Sequence, residues 1–367
     1  MRGHIFRRFK GSYQIVLYLG KDPVTGKYKQ KWIAVKGKRR NAEHVMSELM
    51  HQYNTTGYLD TTRLNTKEFL ERWIDTYQAK LRVQTAEAYR LVIVHHLIPE
   101  LGNIQLSQLR PDHLQRYYAK KVESGLSPRT VKYHHSIIHK ALQTAVKWGL
   151  LFRNVADGAD LPNSEHREMK FWDADEMTVF LGRNIDNPYY ALFYTALFTG
   201  MRRSELLGLK WPDIDFPMCQ LSVRRSLHYT QTGEFYFSDV KSHSSQRTID
   251  LTPTNIGILR KHFENTARYE SDLIFNNDGK PLRPNTVTRA WQTACKVARV
   301  KVIRFHDARH THATLLLKQG VHPKIVQERL GHSSITLTLD VYSHVTQGLQ
   351  KVVAQRFDDL LKQKVNS

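Results

Sequence analysis

His306-Asp307-Ala308-Arg309-His310 sets an imidazole and a guanidinium three positions apart. On a helix that spacing puts both side chains on one face, so His306 and Arg309 can converge on a single ligand. His310 stands four positions from His306 and His312 follows, a pattern that also admits a pair of zinc ligands. The glutamate of a metalloprotease helix is missing and no cysteine lies nearby, so the expectation is no metal.

Four further motifs flank this one. Upstream, Thr199-Gly200-Met201-Arg202-Arg203-Ser204-Glu205 places arginines just after a glycine turn at the start of a helix. There a guanidinium can hold a phosphate through two parallel hydrogen bonds. Val240-Lys241-Ser242-His243-Ser244-Ser245-Gln246-Arg247-Thr248-Ile249 reads as a hairpin with Lys241 at its turn. A lysine lodged among phosphates can act as a proton donor. Downstream, Leu330-Gly331-His332-Ser333-Ser334 sets another histidine at a tight turn, and Tyr342 follows in Leu339-Asp340-Val341-Tyr342-Ser343-His344-Val345. Each motif alone is weak, since a lone helical tyrosine is usually core and a turn lysine is usually solvated. Together and in order, they supply the groups that phosphoryl transfer through a protein nucleophile requires.

The remainder of the chain fits a nucleic-acid enzyme. Lys and Arg number 55 against 34 acidic residues in 367, a formal charge of +21 that favours a polyanionic partner. Cys219 and Cys295 are the two cysteines and form no C-x-x-C spacing, which excludes a disulfide framework and a thiolate metal site and points to a reducing interior. Met1 to Lys10 is basic with no apolar run behind it, so neither a signal peptide nor a membrane span is expected. The absence of a G-x-x-x-x-G-K-[ST] loop argues against ATP as an energy source.

Three units are expected. Residues 1–60 read as a small β-rich unit: Ile5 to Phe9, Tyr13 to Leu19 and Lys31 to Val35 as strands, with Lys21 to Gly26 as a turn and Asn41 capping a helix from Ala42 to about Tyr53. From Thr66 the period turns helical, with Phe69, Leu70, Trp73, Ile74 and Tyr77 on one face. Further helical runs at Thr85 to His96, Arg110 to Ser124 and Ser127 to Trp148 complete a four-helix bundle over residues 66–160. Pro128, Arg129, Thr130, Lys132, Tyr133, His134 and His135 put basic and aromatic groups at the start of the last helix, a face suited to a phosphate backbone. Leu161 to Lys170 reads as a linker. The unit over residues 170–367 is mostly helical, interrupted by a β-like stretch from Gln220 to Leu251, and ends in an apolar stripe of Leu349, Val352, Val353, Phe357, Leu360 and Leu361. The fold class is therefore multidomain and mainly α with small β parts.

The order Arg, Lys, His-x-x-Arg, Leu-Gly-His, Tyr resembles the tyrosine site-specific recombinase family, especially phage and conjugative-transposon integrases, over all three units. The resemblance implies roles residue by residue. Arg202 and Arg309 would clamp the scissile phosphate, Lys241 would protonate the leaving 5′ hydroxyl, and His306 would serve as acid or base. His332 would hydrogen-bond the phosphate and Tyr342 attack it, while Glu205 looks like a buttress and Arg203 a structural residue or DNA contact. It also implies a mixed, mostly α catalytic domain, a core-binding domain that clamps the crossover site through residues such as Arg129, Thr130 and Lys132, and an arm-site domain whose three-stranded sheet reads the major groove through residues such as Arg7, Arg8, Lys29 and Lys31. Implied partners are double-stranded DNA with core and arm sites, a homotetramer on that DNA, and accessory DNA-bending or excision factors. No cofactor and no membrane are implied, and the place of action is the bacterial cytoplasm at the nucleoid. A type IB topoisomerase shares this chemistry, but the small basic β-unit ahead of a helical bundle is integrase-like. A non-catalytic DNA-binding regulator would leave the ordered catalytic residues as coincidence.

Overall fold

The structure, a computed structural model, describes residues 2–9, 11–21, 28–56, 64–151, 153–163, 169–239, 246–266 and 271–339. The chain divides into two units, residues 1–166 and 167–367.

In the first unit, β1 (Arg2–Phe9), β2 (Ser12–Lys21) and β3 (Tyr28–Lys36) form an antiparallel sheet in that order. The register pairs Ile5 with Ile15 and Ile15 with Ile33, so the two-residue period gathers Ile5, Ile15, Leu17, Ile33 and Val35 on one face. That face packs against Ala42, Val45, Met46 and Leu49 of α1 (Arg39–Thr56). On the other face Phe6 and Trp32 are half exposed and stack with ring centroids 6.4 Å apart. The helix begins earlier than expected. The Lys38 carbonyl accepts from the Asn41 and Ala42 N–H groups, so Asn41 lies inside the first turn instead of capping it. Most of the expected turn at Lys21 to Gly26 lies outside the described residues.

The same unit holds a second core, built by α2 (Thr66–Tyr77), α3 (Val83–Val92), α4 (Ile98–Leu101), α5 (Pro111–Glu123) and α6 (Pro128–Lys147). Asn65 and Glu68 close a reciprocal capping box at the start of α2, which fixes where the helix begins. Pro111 and Pro128 sit at helix starts, where a missing N–H costs nothing. A π-helical turn at Ile93–Leu97 joins α3 to α4. The expected basic and aromatic face on α6 is smaller than its sequence implies. The Tyr117 hydroxyl bonds His134 Nδ1 at 2.7 Å and the Tyr118 hydroxyl bonds His135 Nδ1 at 2.8 Å, so both histidines turn towards α5. Burial holds His134 down to about 4, so it is a neutral interior group.

The second unit runs α7 (Ala174–Arg183), α8 (Tyr190–Thr199), α9 (Arg203–Leu207), β4 (Ile214–Asp215), β5 (Gln220–Val223), β6 (Arg225–Tyr229), β7 (Phe235–Asp239), β8 (Arg247–Asp250), α10 (Pro253–Thr266), β9 (Asn276–Asn277), β10 (Lys280–Pro281), α11 (Pro284–Ala298), α12 (Asp307–Lys318) and α13 (Pro323–Leu330). Strands β4, β5 and β8 form one small sheet and β6 with β7 a hairpin. An aromatic cluster of Trp172, Phe180, Phe193 and Trp291 fills the centre, with Trp172 and Trp291 stacked at 5.2 Å. Each such ring, fully buried, contributes on the order of 2–3 kcal/mol. The indole N–H groups also do positional work: Trp172 donates to Lys301 O and Trp291 to Ile303 O, which pins the segment leading into α12. No helix among the described residues is long and apolar enough to cross a membrane.

Candidate active site

Helix α8 is apolar on nearly every side and therefore buried, and it must stop sharply for a polar site to form beside it. Gly200 stops it, at φ +62°. A Cβ there would lie 2.5 Å from Leu330 Cδ2 and 2.8 Å from His312 Cδ2, so both conformation and space demand glycine. The chain then turns so that Arg202 precedes α9, with its N–H donating to Glu205 Oε2 at 2.9 Å and its Nη1 to Glu205 Oε1 at 2.7 Å. Its Nη2 donates to Gly331 O at 3.0 Å, which ties this turn to the end of α13.

Glu205 is buried and receives a second cation, Arg247 Nη2 at 3.0 Å. Burial alone would raise its carboxyl, but Arg247 and then Arg202 outweigh that and hold it below the usual carboxylate range. Arg247 is itself buried by strand register. It pairs with Val223 and lies two residues from Ile249, on the inward face of β8, and its Nε donates to Arg329 O at 2.8 Å. Arg329 in turn reaches Phe198 O at 3.0 Å and His312 Nε2 at 3.2 Å.

Arg309 enters the same place from the first turn of α12. It is 4% exposed, and Nη1 donates to Gly200 O at 2.9 Å, while its buried Nη2 has no hydrogen-bond partner among the described residues. Leaving such a donor unmet costs about 1–3 kcal/mol, more for a charged group, so this atom marks an acceptor site. Burial, and then the positive neighbours Arg202 and Arg247, pull the guanidinium down to about 9, which still leaves it charged at neutral pH. Arg202, braced by the buried Glu205, and Arg309, tied to Gly200 O with a donor left over among the described residues, make an anion site.

Three histidines border it. His332 follows the left-handed Gly331 (φ +67°) and lies within the field of Arg309 and Arg202; burial first, then those arginines, push it down to about 3. His306 leads into α12 with its ring 5.4 Å from that of His310, edge to face. Desolvation, then His310 and Arg309, lower His306 to about 4, although the residue is exposed at its surface. His312 is structural: Nδ1 faces Leu197 O at 2.9 Å and Nε2 accepts from Arg329, so it braces α12 against the end of α8. Among the described residues no three His, Cys, Asp or Glu side chains converge as a metal site would need.

The structure thus brings Arg202, Arg309, His306 and His332 to one place, while Lys241 and Tyr342 lie outside the described residues. Arg203 faces α11 instead, donating to Thr288 Oγ1 at 2.8 Å. Of the DNA-contact candidates, Arg129 is exposed, Lys132 is half-buried, and Thr130 shares its hydroxyl with the cap residue Ser127 at 2.8 Å. Arg7 and Arg8 are exposed on β1; Lys29 and Lys31 fall on β3. Sequence reasoning assigned no role to Arg247 or Arg329. For Arg247 a signal existed: the alternation ending at Ile249 places an arginine on an inward strand position, where it needs a buried carboxylate.

The family model described as "Phage integrase family" matches residues 171–348, and "Phage integrase, N-terminal SAM-like domain" matches residues 66–122. The ICEBs1 integrase of Bacillus subtilis (strain 168) is 27% identical over 366 residues, covering 96% of this chain and 98% of that protein. Among solved structures, the Tn1549 transposon integrase in complex with a circular intermediate DNA superposes with TM-score 0.72 at 21% identity, covering 80% of this chain and 99% of that one. A lambda integrase tetramer bound to a Holliday junction matches with TM-score 0.61 at 20% identity, covering 92% and 94%.

Proposed function

The chain belongs to the phage integrase family of tyrosine recombinases, and on that premise we propose how its residues carry out the reaction and divide the DNA among them. It is a site-specific recombinase of the mobile-element type that breaks and rejoins DNA strands. The observation that carries the assignment of residues is the buried Nη2 of Arg309, without a hydrogen-bond partner among the described residues, beside Arg202 and with His332 at the rim.

A phosphodiester repels a nucleophile, and charge builds on its non-bridging oxygens as the attack proceeds. Arg202 and Arg309 neutralise that charge from fixed positions, an effect worth roughly 3–4 kcal/mol per well-placed donor. Tyr342 attacks phosphorus through its hydroxyl oxygen and gives up its proton. His306, held neutral by its surroundings, is the group that accepts it. The bond to the 5′ oxygen breaks, and Lys241 supplies the proton that this oxygen takes. The resulting 3′-phosphotyrosine keeps the energy of the broken bond, so the 5′ hydroxyl of a second strand reverses the step without ATP.

Residues 170–367 are the catalytic domain, 66–160 the core-binding domain and 1–60 an arm-site domain. Arg129, Thr130 and Lys132 then face the core-site backbone, and Arg7, Arg8, Lys29 and Lys31 the arm site. The exposed, stacked Phe6 and Trp32 on the outer sheet face support a recognition role for the arm-site domain. On DNA the protein acts as a homotetramer at core sites, with accessory bending or excision factors, in the bacterial cytoplasm at the nucleoid; the tetrameric lambda integrase supports the stoichiometry.

The test is a nicked suicide duplex carrying the element's own ends. The expected result is a covalent protein–DNA complex that survives EDTA. The Tyr342→Phe variant, which lacks only the hydroxyl, is expected to bind the same DNA and form none. Undiminished cleavage by that variant, or loss of cleavage that zinc restores, would overturn the assignment.

A further inference from the structure

Thr338 sits four positions before the proposed nucleophile and is fully buried, on the helical turn that begins at residue 336. A buried threonine hydroxyl in a helix usually returns its hydrogen to the carbonyl four residues back. Here its partner is instead the ring of His332: Oγ1 lies 2.8 Å from Nδ1. Among the described residues this is the hydroxyl's one hydrogen-bond partner, and the ring's as well.

Accounting over the described residues gives the bond a direction. A buried hydroxyl carries one hydrogen that must be donated, and an imidazole nitrogen accepts it only when it is itself unprotonated. The Thr338 hydrogen has His332 Nδ1 as its acceptor. Neutral His332 then carries its own proton on Nε2. Two features keep the ring neutral: it is half-buried, and it stands among Arg309, Arg202 and Arg247. The backbone of His332 is fixed as well, its N–H donating to Gln327 O at 3.1 Å and its carbonyl accepting from Gln327 Nε2 at 3.2 Å. The Gly331 carbonyl just before it is held by Arg202. With backbone and Nδ1 both fixed, the free edge of the ring is its Nε2–H.

We propose that Thr338 is a positioning residue that selects the Nε2–H tautomer of His332, so that the histidine meets the anion at the arginine pair as a neutral hydrogen-bond donor. The opposite tautomer would present a lone pair to a phosphate oxygen and repel it. This deepens the active-site reading above and rests on it for its link to cleavage. The tautomer itself is a property of the free protein. The same threonine stands four positions before Tyr342 in the sequence.

The experiment compares wild type, Thr338→Val and Thr338→Ser in the full chain. Valine keeps the shape and removes the hydroxyl; serine restores it. Ring-nitrogen NMR on the free protein labelled with 15N-histidine, with the His332 signal assigned from His332→Asn, is expected to show Nε2 protonated and Nδ1 bare in wild type and in Thr338→Ser. In Thr338→Val the two tautomers are expected to mix. Cleavage of the suicide duplex is expected to fall about tenfold in Thr338→Val, as befits one hydrogen bond, with DNA binding unchanged and recovery in Thr338→Ser. That loss is expected to vanish in a His332→Asn background, which a merely structural threonine would not produce. A wild-type signal with Nδ1 protonated would overturn the proposal whether or not the protein cleaves DNA. So would equal cleavage by the valine and wild-type proteins, or a valine defect that persists without His332. A correct tautomer in a wild-type protein that forms no covalent complex would instead count against the active-site reading.

Discussion

Glu205→Gln leaves the number of heavy atoms in the side chain unchanged yet removes the charge that holds two arginines in place. The carboxylate accepts from the Arg202 N–H at 2.9 Å, Arg202 Nη1 at 2.7 Å and Arg247 Nη2 at 3.0 Å. A glutamine has one acceptor oxygen, so its NH2 group must face a guanidinium donor. Losing two charge-assisted bonds at about 1.5–3 kcal/mol each sets the scale. The Arg202 arm is about one-third exposed and counts towards the lower end, whereas Arg247 is 6% exposed and is left a buried, unmatched cation. The expected cost is about 3–5 kcal/mol, the usual range for breaking a buried pair. For a unit of this size that is a fall in Tm of roughly 6–20 °C. The pH dependence sharpens the test. Because Glu205 titrates below its ordinary 4.5 in the folded chain, its contribution is fully present above that value and is lost as pH falls through the lower folded one. Differential scanning calorimetry of the full chain at neutral pH and in steps down through the acid range is therefore expected to show a gap that narrows with acidity. A Tm within 2 °C or so of wild type at neutral pH, or a gap unchanged down to acid, would refute the role given to this carboxylate.

Arg309→Lys keeps a charge but loses the fork that reaches Gly200 O while leaving a second nitrogen free; single-turnover cleavage is expected to drop by two orders of magnitude or more, roughly, with filter-binding affinity for core DNA nearly unchanged. Gly200→Ala forces a left-handed alanine against Leu330 and His312. The expected loss is about 2–5 kcal/mol by chemical denaturation, and a change below about 0.5 kcal/mol would show that the turn relaxes freely. Removing residues 1–60 is expected to leave core-site cleavage intact and abolish binding to separate arm-type DNA in a mobility-shift assay; loss of core cleavage would show that the β-unit belongs to the catalytic machinery.

Much of this fold was legible because local signals and burial agree. Asn65 with Glu68, and Pro111 and Pro128 at helix starts, mark boundaries that packing then respects. Where a backbone group displaced a side chain, the reading slipped. Asn41 looks like a cap, but the Lys38 carbonyl opens the helix earlier. His134 and His135 look like surface cations because their tyrosine partners lie on another helix, and a pairing seventeen residues away has no local signature. The motif histidines and arginines stand out by spacing, whereas the supports do not. Arg247 answers to Glu205 across strand register, Arg329 works through backbone carbonyls, and Thr338 is visible only once its hydroxyl is seen to have a histidine for a partner.

The inward place of Arg247 on β8 has a consequence for how this chain tolerates change. Side chains on a strand alternate faces, so sliding β8 by one residue against β5 would carry Arg247 into solvent, leave Glu205 with Arg202 alone and expose Ile249 while burying Thr248. The pair therefore works as a ratchet tooth that admits one alignment of the two strands. The register that holds Glu205 and its arginines is thus set by β5 and β8 themselves.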